Sequence, residues 1–292
     1  MKIAIFGKQF GDVFNDPCIK LFRFLEKKEI DIIIYKPFYE FLKNEVDITP
    51  EVSGFFADNP ELTGVDLVFS IGGDGTFLET VTYVKDSGIP IVGINSGRLG
   101  FLAVISKEEI EFALEDIING KYKERKLDLL TAFAGEDGFG EMNFALNELA
   151  ITKIDSSAMI TVHTYLDDVY MNSYWADGLI ISTSTGSTAY SLSVGGPILH
   201  PETTNFIITP IAPHNLTVRP MVVPNDLEVT LKIEARAGKF LASLDSRSRI
   251  FDEHVIIRVK KAGFKITVVE LTDQSFYATL RNKLMWGVDK RN

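Results

Sequence analysis

The segment Ile71-Gly72-Gly73-Asp74-Gly75-Thr76-Phe77 sets three glycines around one carboxylate, after an apolar run and before a helical pattern. Glycines permit positive φ and close backbone approach, so main-chain amides can face a phosphate while the helix N-terminus adds its dipole. A carboxylate in such a cradle repels phosphate unless it holds a metal ion or takes a proton. Asp74 therefore points to phosphoryl transfer rather than passive binding. An ordinary turn residue or helix cap is the alternative reading. No lysine follows the glycines as in a Walker A loop, and GxGxxG spacing is absent.

A second feature is the run Asp177 to Pro197, dense in serine, threonine and glycine. Neutral hydroxyl donors on a glycine-hinged strand-to-helix turn suit the ribose and phosphates of a nucleotide, and Tyr190 offers a flat face to a base. The same composition also describes a plain loop, although Leu179-Ile180-Ile181 reads as a buried strand leading into it. A third feature is Asn147-Glu148, which interrupts Phe144-Ala145-Leu146 and Leu149-Ala150-Ile151. In a strand the two side chains point to opposite faces, so one faces inward unless the strand ends or bulges at a site. An edge strand with Glu148 in solvent explains the pair equally well.

These residues need elements to hold them. Ile3 to Phe6, Asp31 to Tyr35, Leu67 to Ile71 and Ile89 to Ile94 read as buried strands. Asp16 as N-cap and Pro17 in the first turn open a helix carrying Cys18, Phe22 and Leu25 on one face. Further helices are expected from Thr76 to Lys85 and, capped by Ser106, to Asn119. Buried strands alternating with helices imply a doubly wound parallel sheet. After Lys121 the pattern changes to short alternating runs: Ile160 to Leu166, Val229 to Ile233, Phe240 to Leu244, Val255 to Val259 and Phe264 to Val269. Hairpin signals at Glu136-Asp137-Gly138 and Asp167-Asp168 separate such runs. The expected organisation is an N-terminal α/β domain, residues 1–121 with 272–292, and a C-terminal antiparallel β-sandwich-like domain, residues 122–271. The helix expected from Asp273 to Trp286, with Phe276, Leu280 and Leu284 on one stripe, returns to cover the first domain.

The composition narrows the chemistry. The chain has 292 residues, 46% of them hydrophobic, and a net charge of −10, which excludes disorder and a broad basic surface for nucleic acid or anionic membrane. Any anion must be held locally. A single cysteine, Cys18, excludes an internal disulfide, and four scattered histidines show no zinc-site spacing. The opening MKIAIFGKQF is too short an apolar stretch for a signal peptide, and no run approaches membrane-spanning length. A cytoplasmic protein is expected.

Taken together, the chain resembles the NAD kinase family. The match rests on Gly72-Gly73-Asp74-Gly75-Thr76, Asn95-Ser96-Gly97-Arg98-Leu99-Gly100-Phe101-Leu102, Asn147-Glu148 and the run from Asp177 to Pro197, in an order that covers most of the chain. The first motif is shared with diacylglycerol and sphingosine kinases; Thr185-Gly186-Ser187-Thr188-Ala189-Tyr190-Ser191-Leu192-Ser193 is far more specific. The resemblance implies transfer of the ATP γ-phosphate to the 2′-hydroxyl of the adenosine ribose of NAD. It casts Asp74 as general base with Gly75 beside the nucleotide, and Asn147 and Glu148 on ribose and adenine polar atoms. Asp177 contributes from near a subunit interface. Thr188, Ala189, Tyr190, Ser191, Leu192 and Ser193 line the NAD site, with Tyr190 against adenine, and Ala212 supplies backbone. Mg²⁺ or another divalent cation arrives with ATP, no metal ligand of the protein is assigned, and a homo-oligomer, dimer or tetramer, is implied. A lipid kinase and a non-catalytic dinucleotide sensor are the alternatives. Ser184 stands where the family commonly has proline, which loosens the turn. Arg247 replaces a family glutamine and offers a cation near phosphate. Arg98, between glycines, is a candidate phosphate clamp or a salt-bridge partner.

Overall fold

A computed structural model describes residues 1–57, 62–97, 99–135, 138–154, 158–272 and 274–285. The chain forms two units, Met1–Lys126 with Ile266–Asn292, and Leu127–Lys265. In the first, β1 (Lys2–Gly7) carries apolar side chains on both faces, all buried after Lys2. Helix α1 (Asn15–Lys27) follows and buries Cys18, Leu21, Phe22 and Leu25. It starts before Asp16, with Phe14 at the cap position after a short 3-10 turn. Asp16 is therefore not the cap expected from sequence; its carboxylate lies in the first turn, where the helix dipole favours it.

Next come β2 (Asp31–Tyr35), α2 (Lys36–Glu45) and β3 (Gly54–Phe56). Then β4 (Leu67–Gly72) leads into α3 (Asp74–Val84), which begins two residues before the expected Thr76. Strand β5 (Ile91–Asn95) starts after Pro90, and α4 (Ile110–Ile118) is capped by Glu109. Ser106 does not cap it; its hydroxyl donates to Glu109 Oε2 at 2.7 Å in the turn before. These strands pair in parallel in the order β3-β2-β1-β4-β5. Chain direction along the sheet reverses between β1 and β4, and in doubly wound sheets ligands bind at the carboxyl ends beside that point. The Gly72-Gly73-Asp74 turn is the carboxyl end of β4. One apolar cluster from Ile3, Phe69, Val92, Leu21 and Leu114 among others joins sheet to helices.

The second unit is almost all antiparallel. Its strands are β6 (Tyr122–Ala134), β7 (Phe144–Ala145), β8 (Glu148–Lys153), β9 (Ile160–Leu166), β10 (Val169–Ala176) and β11 (Gly178–Thr183). After the one-turn helix α5 (Tyr190–Ser193) come β12 (Asn205–Ile211), β13 (Met221–Pro224), β14 (Val229–Ala235), β15 (Lys239–Leu244), β16 (Arg247–Asp252) and β17 (Ile257–Leu271). One sheet runs β13-β12-β11-β8-β15-β16, and β10-β9-β14 continues to the first half of β17. Leu149, Ile181, Phe206 and Phe240 of one sheet and Val162, Tyr174, Leu231 and Ile257 of the other share a core, a sandwich as expected. The Asp167-Asp168 signal is a two-residue hairpin joining β9 and β10, with φ of 45° and 64° that twist with the flanking strands. Glu136 and Asp137 lie outside the described residues.

The separate strands expected at Val255 to Val259 and Phe264 to Val269 are one strand, β17. Its ends have different partners: Val259 faces Val229, whereas Val268 pairs in parallel with Ile91 of the first unit's sheet. Helix α6 (Phe276–Leu284) follows, with the Ser275 hydroxyl accepting from the Ala278 N–H and Leu280 buried. Asp273 and Trp286, its expected ends, lie outside the described residues, and Leu284 is exposed.

Candidate functional site

Asp74 is the first residue of α3, and its carboxylate does not cap that helix. It reaches instead to the loop after β5. Oδ2 accepts from the Phe101 N–H at 2.9 Å, and Oδ1 from the N–H groups of Leu102 and Ala103 at 2.9 and 3.1 Å. The Lys283 ammonium, on the last turn of α6, donates to Oδ2 at 3.3 Å. Four donors thus orient one carboxylate, and the plain turn-residue reading does not describe it. Gly100 makes this possible, since a Cβ there would overlap the Asp74 carboxylate. Asn95 folds the same loop: its Oδ1 accepts from the Gly97 N–H at 2.7 Å and its amide donates to the Ala103 carbonyl. Arg98 lies outside the described residues. At Gly73 and Gly75 a Cβ would meet nothing within 4 Å, so the backbone there borders open space.

In the second unit, Asn147 lies between β7 and β8, and Glu148 opens β8, an inner strand between β11 and β15. Both are buried, at 7% and 8% exposure, which removes the solvated-edge reading. Threonine and glycine bind this bend to the hydroxyl-rich run. The Thr183 hydroxyl donates to the Leu146 carbonyl at 2.6 Å and accepts from the Gly186 N–H at 3.1 Å, while the Thr183 N–H donates to the Asn147 carbonyl at 2.8 Å. The Glu148 carboxyl accepts from the Tyr190 N–H, and its Oε2 has no partner.

Asp245 supports the bend from below. It occupies the turn between β15 and β16 with φ 51°, and its carboxylate accepts from the N–H groups of Leu146, Asn147 and Glu148 at 3.0, 2.9 and 3.2 Å. Burial, then the Asp245 charge, pushes the Glu148 carboxyl up to about 8 against the single Tyr190 N–H. Burial raises Asp245 as well, but three N–H donors favour its anion, so the proton of this pair resides on Glu148. Sequence alone assigns no role to Asp245.

Thr188 closes a 3-10 turn, Ala189 caps α5, and Tyr190, Ser191, Leu192 and Ser193 form it. Tyr190 is exposed, whereas Ser191 is fully buried, with its hydroxyl on Thr209 at 3.1 Å and its carbonyl accepting from the Val194 and Gly196 N–H groups, so the structure does not offer it to a ligand as expected. Asn147, Glu148 and the Thr188 to Ser193 turn are thus brought together at one end of β11. Asp177 and Ala212 are not. They sit at the other end, where Gly178 faces Ile211, about 17 Å away at strand rise. There Asp177 pairs with Lys153 at 2.6 Å, and Ala212 adopts φ 44°, a strained conformation for a residue with a Cβ.

Two departures resolve differently from expectation. The Ser184 hydroxyl donates to the Thr203 carbonyl at 2.6 Å and accepts from the Thr203 hydroxyl, so the turn is tied rather than loosened. Arg247 is half-buried and donates to the carbonyls of Met142 and Phe144, with its guanidinium over the Phe144 ring, so it is engaged within the fold rather than offered to a phosphate. Among the described residues no group of three His, Cys, Asp or Glu side chains is placed to hold a metal ion, and no helix is long and apolar enough to cross a membrane.

Known proteins match this arrangement along its length. A family model described as the ATP-NAD kinase N-terminal domain matches residues 16–122, and one described as the ATP-NAD kinase C-terminal domain matches residues 146–271. An NAD kinase of Cytophaga hutchinsonii is 50% identical over the whole of both chains, and one of Flavobacterium johnsoniae 46% over the whole of both. An Archaeoglobus fulgidus NAD kinase solved in complex with ATP is 26% identical with a TM-score of 0.76, over 98% of this chain and 99% of its own. A yeast NADH kinase complexed with NADH shares the fold, with a TM-score of 0.88 at 22% identity over 99% of this chain and 89% of its own. The lipid-kinase and sensor alternatives draw no support from these matches. The chain belongs to the NAD kinase family of phosphotransferases.

Proposed function

We propose that the chain transfers the γ-phosphate of ATP to the 2′-hydroxyl of the adenosine ribose of NAD, with Asp74 as the base. The observation that carries this is the oriented Asp74 carboxylate at the carboxyl end of β4, beside the open backbone of Gly73 and Gly75. A secondary alcohol is a poor nucleophile at neutral pH, and proton acceptance by a positioned carboxylate contributes typically about 10²–10⁴ in rate. Glu148, carrying its proton, meets the nucleotide as a hydrogen-bond donor. Asn147 and the Thr188, Ala189, Leu192 and Ser193 backbone hold ribose and phosphate oxygens, and the exposed Tyr190 ring takes the base face.

A divalent cation fits as cargo on the ATP phosphates, because Asp74 already carries four donors. When bound, it neutralises phosphate charge as the phosphoryl group moves. Asp177 and Ala212, remote from Glu148 within the chain, complete the site of a neighbouring copy in a homo-oligomer; exposed Trp175 and Met221 border that end. The absence among the described residues of a membrane-spanning helix accords with a cytoplasmic location.

The test is NADP formation from NAD, ATP and Mg²⁺, read with a dehydrogenase that accepts only NADP. Asp74→Asn is expected to leave NAD binding intact and cut turnover by at least about a hundredfold. Near-normal turnover in that variant removes Asp74 from the role of base.

A further inference from the structure

A general base must offer a lone pair to the hydroxyl whose proton it takes. A carboxylate has about four acceptor positions. In this structure Asp74 fills them: Leu102 and Ala103 N–H on Oδ1, Phe101 N–H and the Lys283 ammonium on Oδ2. One donor must therefore leave before the acceptor hydroxyl can bind. The three amides belong to a loop whose Leu102 and Ala103 are buried, and which is pinned by the Asn95 amide on the Ala103 carbonyl and by the Gly100 N–H on the same oxygen. Withdrawing them leaves main-chain donors without partners, each a penalty of buried desolvation. Lys283 differs. It is a flexible side chain on the last turn of α6, about one-third exposed, for which water replaces the lost contact. Its ammonium also lies 4.6 Å from the centre of the Phe101 ring, which gives it a second resting contact when it leaves the carboxylate.

We propose that Lys283 is a removable guard on Asp74. This rests on the reading of Asp74 as base. Lys283 holds the carboxylate aimed at the loop and yields its place on Oδ2 to the 2′-hydroxyl of NAD. It acts through Asp74 and is a positioning residue. The guard competes with the substrate for one lone pair, so its removal acts on NAD affinity.

The experiment compares full-length wild type, Lys283→Met and Lys283→Arg in NADP formation and in equilibrium NAD binding without ATP. An exposed ion pair of this kind holds back binding by about two- to fivefold. Lys283→Met is therefore expected to lower both KM and Kd for NAD by that factor, with the change in KM rather than kcat, and Lys283→Arg to restore wild-type values. In an Asp74→Asn background, where the ion pair is gone, Lys283→Met should leave Kd unchanged; a merely structural lysine would act alike in both backgrounds. Unchanged or weakened NAD affinity in Lys283→Met, or a fall in kcat at constant KM, overturns the guard. If Asp74→Asn is inactive and Lys283→Met still matches wild type, only the guard fails; if Asp74→Asn turns over normally, the base reading fails first.

Discussion

Replacing Glu148 by glutamine should remove a pH dependence of stability that its burial imposes. Glu148 is 8% exposed, has one N–H donor and an unpartnered Oε2, and lies near the Asp245 charge. Burial therefore lifts its carboxyl from 4.5 to about 8. Because the folded form binds this proton more tightly than the unfolded chain, the contribution is fully present below about 4.5 and is lost as pH rises through 8. Between those limits one proton is released on unfolding, so stability declines by about 1.4 kcal/mol for each pH unit, on the order of 4 kcal/mol across the window. Glu148→Gln keeps an oxygen for the Tyr190 N–H and cannot ionise. Urea unfolding followed by Trp175 fluorescence from pH 5 to 8 should show a steep wild-type decline relative to the variant. The difference between the two cancels the histidines, which are common to both. The variant should be the more stable at pH 8 by on the order of 4 kcal/mol. Parallel curves for the two proteins refute the placement of the proton on Glu148.

Two further outcomes follow from packing. Gly100→Ala drives a methyl into the Asp74 carboxylate. The loop or Asp74 must move, and turnover should fall to within about tenfold of Asp74→Asn, since both lose a positioned base worth about 10²–10⁴; a Gly100→Ala enzyme with wild-type kcat refutes the loop contact. Cys18 is fully buried on α1, and burial pushes its thiol up to about 12. A thiol reagent at neutral pH should leave the native chain unlabelled and react stoichiometrically in denaturant, whereas rapid native labelling would show that α1 opens locally.

The elements were legible where periodicity and turn chemistry agree. Ile3 to Phe6, Asp31 to Tyr35 and Leu67 to Ile71 are apolar on both faces because helices cover both sides of a parallel sheet, and each forms a strand. Helix α2 escaped notice because Pro37, directly after β2, reads as a stop; in the structure it occupies the first turn, where a missing N–H costs nothing. Gly263 split β17 into two apparent strands, yet a ladder of main-chain bonds continues past a residue without a side chain. The Asn147-Glu148 pair shows the limit more sharply. Alternation says that two adjacent residues face opposite ways; it cannot say whether the strand has neighbours on both sides. That depends on β11 and β15, which lie far along the chain. The contact of Lys283 with Asp74, across 209 residues, has no local signal at all.

Asp74 in the first unit and Glu148 in the second meet their surroundings in two opposite ways. Asp74 is surrounded by donors: three amides and one ammonium meet its two oxygens. Glu148 is starved of them, with one amide and a buried, unpartnered oxygen, while the neighbouring Asp245 takes three amides. A starved buried carboxyl keeps its proton and so carries no charge. Converting Asp245 to an uncharged residue should therefore leave Glu148 less reluctant to ionise, because its nearest like charge is gone. The midpoint of the Glu148-dependent stability change should then move to lower pH in Asp245→Asn, which preserves an oxygen for the Asn147 and Glu148 amides. An unshifted midpoint would assign the proton on Glu148 to burial alone.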